Sequence, residues 1–130
     1  MRVKLKQFEG QRMTVKGTIY DMRPSKRNRN IQCILLYNLK NHNFSDEFLT
    51  DHVWIRVGKR MLQHEKIICR GDIIKFDARV KAYKKGNNID YGLSYVSNVV
   101  TYGQNPKLKR IVFLENEPIS YYKEETEDDL

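Results

Sequence analysis

Asp72-Ile-Ile-Lys-Phe-Asp-Ala-Arg-Val-Lys-Ala-Tyr83 is the stretch on which the reading of the fold turns. Ile74, Phe76, Ala78, Val80 and Ala82 fall on one side of an extended backbone, with Lys75, Asp77, Arg79, Lys81 and Tyr83 on the other. Successive side chains of a strand point to opposite faces, so an unbroken period of two over this length predicts a strand with one buried and one solvated face. Lys84-Lys-Gly-Asn-Asn88 follows and offers glycine and asparagine for positive φ, a hairpin signal. Ile89 to Tyr102, with Tyr91, Tyr95 and Tyr102, reads as the returning strand and is expected to pair with it.

Upstream the same period recurs. Met13, Val15, Gly17 and Ile19 alternate with Thr14, Lys16, Thr18 and Tyr20, which predicts a half-buried first strand. Asp21 to Asn30 is polar and basic and reads as a loop. In Ile31 to Leu39 the alternation predicts Cys33, Leu35, Tyr37 and Leu39 inside, with Ile34 and Leu36 on the more polar face beside Gln32 and Asn38. His52 to Val57 places Val53, Ile55 and Val57 inward and Trp54 and Arg56 outward. Alternation breaks from Gly58 to Ile67, where Met61, Leu62, Glu65 and Ile68 have roughly helical spacing and predict a short helix. Cys69 to Asp72 reads as a turn, Gln104 to Lys109 as a linker, and Arg110 to Glu115 as one more short apolar run.

At 130 residues the chain has room for one core and short appendages. The expected division is an N-terminal extension over 1–11, a β-domain over 12–103 and a C-terminal extension with an acidic tail over 104–130. Apolar runs are far shorter than the roughly 20 residues that span a bilayer. Met1-Arg-Val-Lys-Leu-Lys leads into Gln7 and Glu9 without an apolar stretch, so a cytoplasmic protein is expected, with no membrane association. Cys33 and Cys69 have no CxxC spacing and read as buried thiols, not as a zinc site. The net charge of +8 hides an asymmetry: residues 1–123 hold all 24 basic residues and 11 of the 16 acids, a net +13. Such an excess favours polyanions through counterion release. His42, His52 and His64 are scattered, and the paired acids Asp46–Glu47 and Asp128–Asp129 lie in polar segments where burial would not shift them. No phosphate loop or nucleophile setting is present, so neither an enzyme nor a cofactor is expected.

Strand, basic loop, strand, loop, strand, short helix, strand, hairpin, strand is a layout that resembles the OB-fold superfamily over about residues 10–103. Gly17 within the first strand and Arg70-Gly-Asp-Ile-Ile-Lys-Phe-Asp-Ala-Arg-Val80, which looks like the Gly-Asp turn and long fourth strand of many OB domains, sharpen the likeness. SH3-like barrels are the nearest rivals, with shorter strands and no intervening helix. The resemblance implies an all-β chain with a small α contribution: a five-stranded Greek-key barrel with a short helix between its third and fourth strands. It also implies a ligand lying across the second and third strands between two loops, here Arg23 to Asn30 and Lys84 to Asn88, both basic.

On that expectation Arg23, Lys26, Arg27, Arg29, Lys84 and Lys85 clamp a backbone, and Arg56 and Lys81 hold phosphates. Trp54, Tyr20 and Tyr83 stack bases. The expected ligand is single-stranded DNA, with RNA as the alternative, bound without sequence preference in replication or recombination. A rival reading is an accessory subunit whose outward Ile34, Leu36 and Trp54 dock on a polymerase, primase or helicase. The acidic end resembles the C-terminal tips of bacterial and phage single-stranded DNA-binding proteins, and so implies Glu127, Asp128, Asp129 and Leu130 as contacts for a replication or repair partner. It departs from the bacterial type in having Leu130 alone after the acids and no long linker; a solubilising end, or one folding back over the basic groove, fits the same residues.

Overall fold

Long alternating segments joined by tight turns dictate an antiparallel sheet, and the computed structural model, which describes residues 2–62, 68–103 and 111–112, shows one. A helical turn, α1 (Val3–Lys6), precedes β1 (Arg12–Pro24), β2 (Ile31–Asn41) and β3 (Glu47–Gly58). After a 3-10 turn at Lys59–Leu62 come β4 (Cys69–Arg70), β5 (Ile73–Lys85), β6 (Asn88–Tyr102) and β7 (Ile111–Val112). Five strands form one sheet in the order β3-β2-β1-β5-β6, and β4 pairs with β7 in a short ribbon. The described residues are thus mostly antiparallel β-sheet with little helix. Where a short helix was expected after the third strand, the described residues show only the 3-10 turn, and 63–67 lie outside the described residues.

The expected pairing of the fourth and fifth long strands is present as β5 with β6, from Ile73 opposite Tyr102 to Lys85 opposite Asn88. Ile74, Phe76, Ala78 and Val80 are fully buried, with Val53, Ile55 and Val57 of β3 at 1 % exposure or less. Ala82 is the exception in its row: the last register pair of β1 with β5 is Arg12 with Arg79, so the hairpin arm projects past β1 and Ala82 is exposed. Gly17 lies at a register shift of β1, where an added Cβ would stand 3.2 Å from the Leu36 Cβ. This close approach lets β1 press onto β2.

The second strand corrects the sequence reading. Ile34 and Leu36, expected on the outer face, are both 0 % exposed core residues, while Cys33 and Tyr37 lie on the outer face. The cause is Asn38, whose φ of 53° puts it in the left-handed region and throws the strand out of phase. Leu36 and Leu39, three residues apart, then both face the core. Counting back from Leu39 in steps of two therefore assigns Cys33, Ile34, Leu36 and Tyr37 to the wrong side, while Leu35, expected inside, is buried.

The sheet does not close into the expected barrel. Edge strands β3 and β6 come near each other, but no hydrogen-bonded ladder joins them. The seam is instead bridged by Arg2. Its Nε donates to the His52 carbonyl on β3 at 3.2 Å, and its Nη1 donates to the Tyr91 carbonyl on β6 at 3.0 Å and to the Tyr83 hydroxyl at 2.9 Å. The carboxylate of Asp90 receives the Arg2 backbone N–H at 2.9 Å and its guanidinium at 3.5 Å. Leu5, one helical turn on, is 0 % exposed in the core, so the segment before β1 is built into the fold.

Candidate nucleic-acid interface

Because β3 and β6 stand apart, a groove of about 970 Å³ opens between them. Trp54 and Arg56 enter it from β3, Arg23 from β1, and Lys81 and Tyr83 from β5. These five were expected from the sequence, and the fold brings them into one groove. Arg2 and Tyr95 also line it and were not expected. Alternation explains the β3 contribution, since Val53 and Ile55 face the core and force Trp54 and Arg56 outward. Trp54 keeps 40 % of its surface exposed.

Register places the outer-face residues in rows across three strands. Cys33 stands between Arg23 of β1 and Arg56 of β3, Leu35 opposite Trp54, and Tyr37 opposite His52. Tyr20 stacks on Tyr37 with ring centroids 4.4 Å apart and 7° between planes, and the edge of His52 meets Tyr37 at 6.3 Å. The Arg70 guanidinium lies 5.1 Å from the centre of the Tyr20 ring and donates to the Tyr20 carbonyl at 2.5 Å. Tyr20 thus belongs to an aromatic row two residues along from the indole and does not line the groove. Burial, and then the neighbouring Tyr20 and Asp21, push the Tyr37 hydroxyl above its usual pKa.

Two cations sit on aromatic faces in the groove. The Arg23 guanidinium carbon lies over Trp54 at 4.8 Å, and the Lys81 ammonium over Tyr95 at 4.9 Å. Contacts of this kind contribute about 0.5–2 kcal/mol, more when drier. Arg23 Nη2 also lies 3.7 Å from Oδ2 of Asp21, whose side chain is 0 % exposed and whose Oδ1 accepts the Met22 N–H at 2.9 Å. Arg23 was assigned to the basic loop; β1 runs on to Pro24, so it is a strand residue facing the indole.

Lys26, Arg27 and Arg29 are exposed in the loop after β1, and Lys84 and Lys85 are exposed at the β5–β6 turn. The registers put these two basic tips beyond opposite ends of β1, flanking the groove and not lining it. Glu127, Asp128, Asp129 and Leu130 lie outside the described residues. Ile34 and Leu36, buried, offer no docking surface.

At the seam, burial pushes the Asp90 carboxyl up, but the N–H groups of Arg2 and Tyr91 and the Arg2 charge outweigh it and hold it below the ordinary carboxylate value. Asp77 is held low by hydrogen bonds from Asn98 at 2.7 Å and Thr14 at 2.6 Å. The signal that would have found Arg2 and Tyr95 is not local: Arg2 meets partners about fifty to ninety positions away, and Tyr95 reaches the groove through a left-handed backbone with φ 55°. Among the described residues no group of three His, Cys, Asp or Glu side chains could hold a metal, and no helix is long and apolar enough to cross a membrane. Comparison with protein-family models, curated proteins and solved structures gives no match.

Proposed function

We propose that the protein binds single-stranded nucleic acid in the groove between β3 and β6, DNA in preference to RNA, as a non-enzymatic component of replication or recombination. The observation that carries this reading is the convergence of Trp54, Arg23, Arg56, Lys81 and Tyr83 on one open groove flanked by two basic tips. Flat rings favour unpaired bases and cations favour the backbone, and neither reads base edges, so binding is largely sequence-independent. The strand order, with β1 between β2 and β5, supports an OB-type connectivity whose closing seam is made by side chains. The preference for DNA rests on the resemblance of the acidic end to single-stranded DNA-binding tips.

Titration with oligo-dT, followed by the emission of the only tryptophan, tests it. Quenching is expected at low salt, with affinity falling steeply as salt rises. Trp54→Ala should weaken binding by about 1–3 kcal/mol, or roughly 5- to 150-fold. Tight binding to duplex DNA with none to oligo-dT would refute the reading.

A further inference from the structure

The contact between Arg23 and Trp54 bears on how a base would be held. One face of the indole already carries a guanidinium at 4.8 Å, and that guanidinium has the buried carboxylate of Asp21 at 3.7 Å. A base arriving on this face has two options. It displaces Arg23, losing the cation–π contact and separating a charge from a carboxylate with no exposure to water, or it rests on Arg23 and keeps both. The second option leaves both contacts in place. A guanidinium is flat and weakly hydrated and stacks on aromatic faces as an ammonium does not. Arg23 sits over the indole and also lines the groove. Its Nε is buried and without a hydrogen-bond partner among the described residues, while the side chain as a whole is 42 % exposed.

Resting on the single-strand reading above, we propose that Arg23 is itself a base-stacking surface: an unpaired base lies on the guanidinium face, in a layer of indole, guanidinium and base, while the same charge neutralises the adjoining phosphate. Arg23 thereby acts through its plane as well as its charge, which sets it apart from the exposed Lys26, Arg27 and Arg29 at the neighbouring tip.

Arg23→Lys separates the two properties, since it keeps a cation beside Asp21 and removes the plane. With oligo-dA as probe, it should bind about 10-fold more weakly than the wild-type chain, with the slope of log affinity against log salt unchanged. Arg23→Gln should lose affinity and also reduce that slope by about 0.7, the value of one phosphate contact on a single strand. Independently of any variant, the Arg23 Nε–H resonance of the wild-type chain should move upfield on adding oligo-dA, under the ring current of the stacked base. Equal affinities for wild type and Arg23→Lys, or a ring-current shift at the Trp54 indole without one at Arg23, would overturn the assignment and leave the groove reading intact. Failure of the wild-type chain to bind the oligonucleotide at low salt would remove both.

Discussion

Ile34→Ala should lower stability to urea by about 3 kcal/mol, within the 2–5 kcal/mol seen when a buried aliphatic side chain is truncated. In a chain of 130 residues this corresponds to a fall in melting temperature of roughly 10 °C. Ile34 has no exposed surface and sits in the cluster with Leu36, Val53, Ile55 and Phe76. Removing three carbons there forfeits their transfer out of water and leaves a void that the flanking strands cannot fill without breaking register. The result separates two readings of the same residue. A surface aliphatic kept for docking on a polymerase, primase or helicase would change stability by no more than about 0.5 kcal/mol when truncated. A drop of that small size would mean that β2 presents its other face and that the phase reversal at Asn38 is not the conformation in solution.

The second large effect belongs to the seam. Arg2→Ala should cost about 3 kcal/mol, because it removes donors to the His52 and Tyr91 carbonyls and leaves the carboxylate of Asp90, 7 % exposed, without its cation. It should also change how stability depends on pH. Asp90 and Asp77 are held below their ordinary values in the folded chain, so between the folded and unfolded values the unfolded chain binds more protons. Stability therefore rises with pH; the contribution is complete above the unfolded value and is lost as pH falls through the folded one. In Arg2→Ala the Asp90 part of that slope should shrink, since burial, which pushes its carboxyl up, then meets less opposition. Urea melts of both chains between about pH 3 and pH 6 give the comparison, ordinary carboxylates titrating near pH 4. Parallel curves would show that Arg2 does not govern Asp90.

What could be read from the sequence tracks how local its cause is. The inward phase of β3 and β5 follows from alternation of apolar and polar residues, because each has one wet face that declares itself. In β2, by contrast, Ile34, Leu35 and Leu36 are all buried, so hydropathy cannot choose a face, and a single left-handed Asn38 reverses the answer. The same holds for the site. Trp54, Arg56, Lys81 and Tyr83 could be placed because their strands alternate cleanly. Arg23 was found, but its seat on the indole depends on how far β1 runs past the point where its apolar alternation ends. Arg2 and Tyr95 depend on the approach of two edges and on a bulged backbone, neither of which leaves a periodic trace. The closed barrel expected from the order of elements fails for a related reason: that order says nothing about which groups take the last carbonyls.

A wall joined by main-chain bonds has a fixed circumference, set by how many strands it contains and by their stagger. Here the last hydrogen-bonded join passes through one arginine side chain, so the distance between the two borders is set by side-chain geometry and not by a backbone ladder. The width of the cleft is thus a property of that side chain and its partners, not of strand number and stagger.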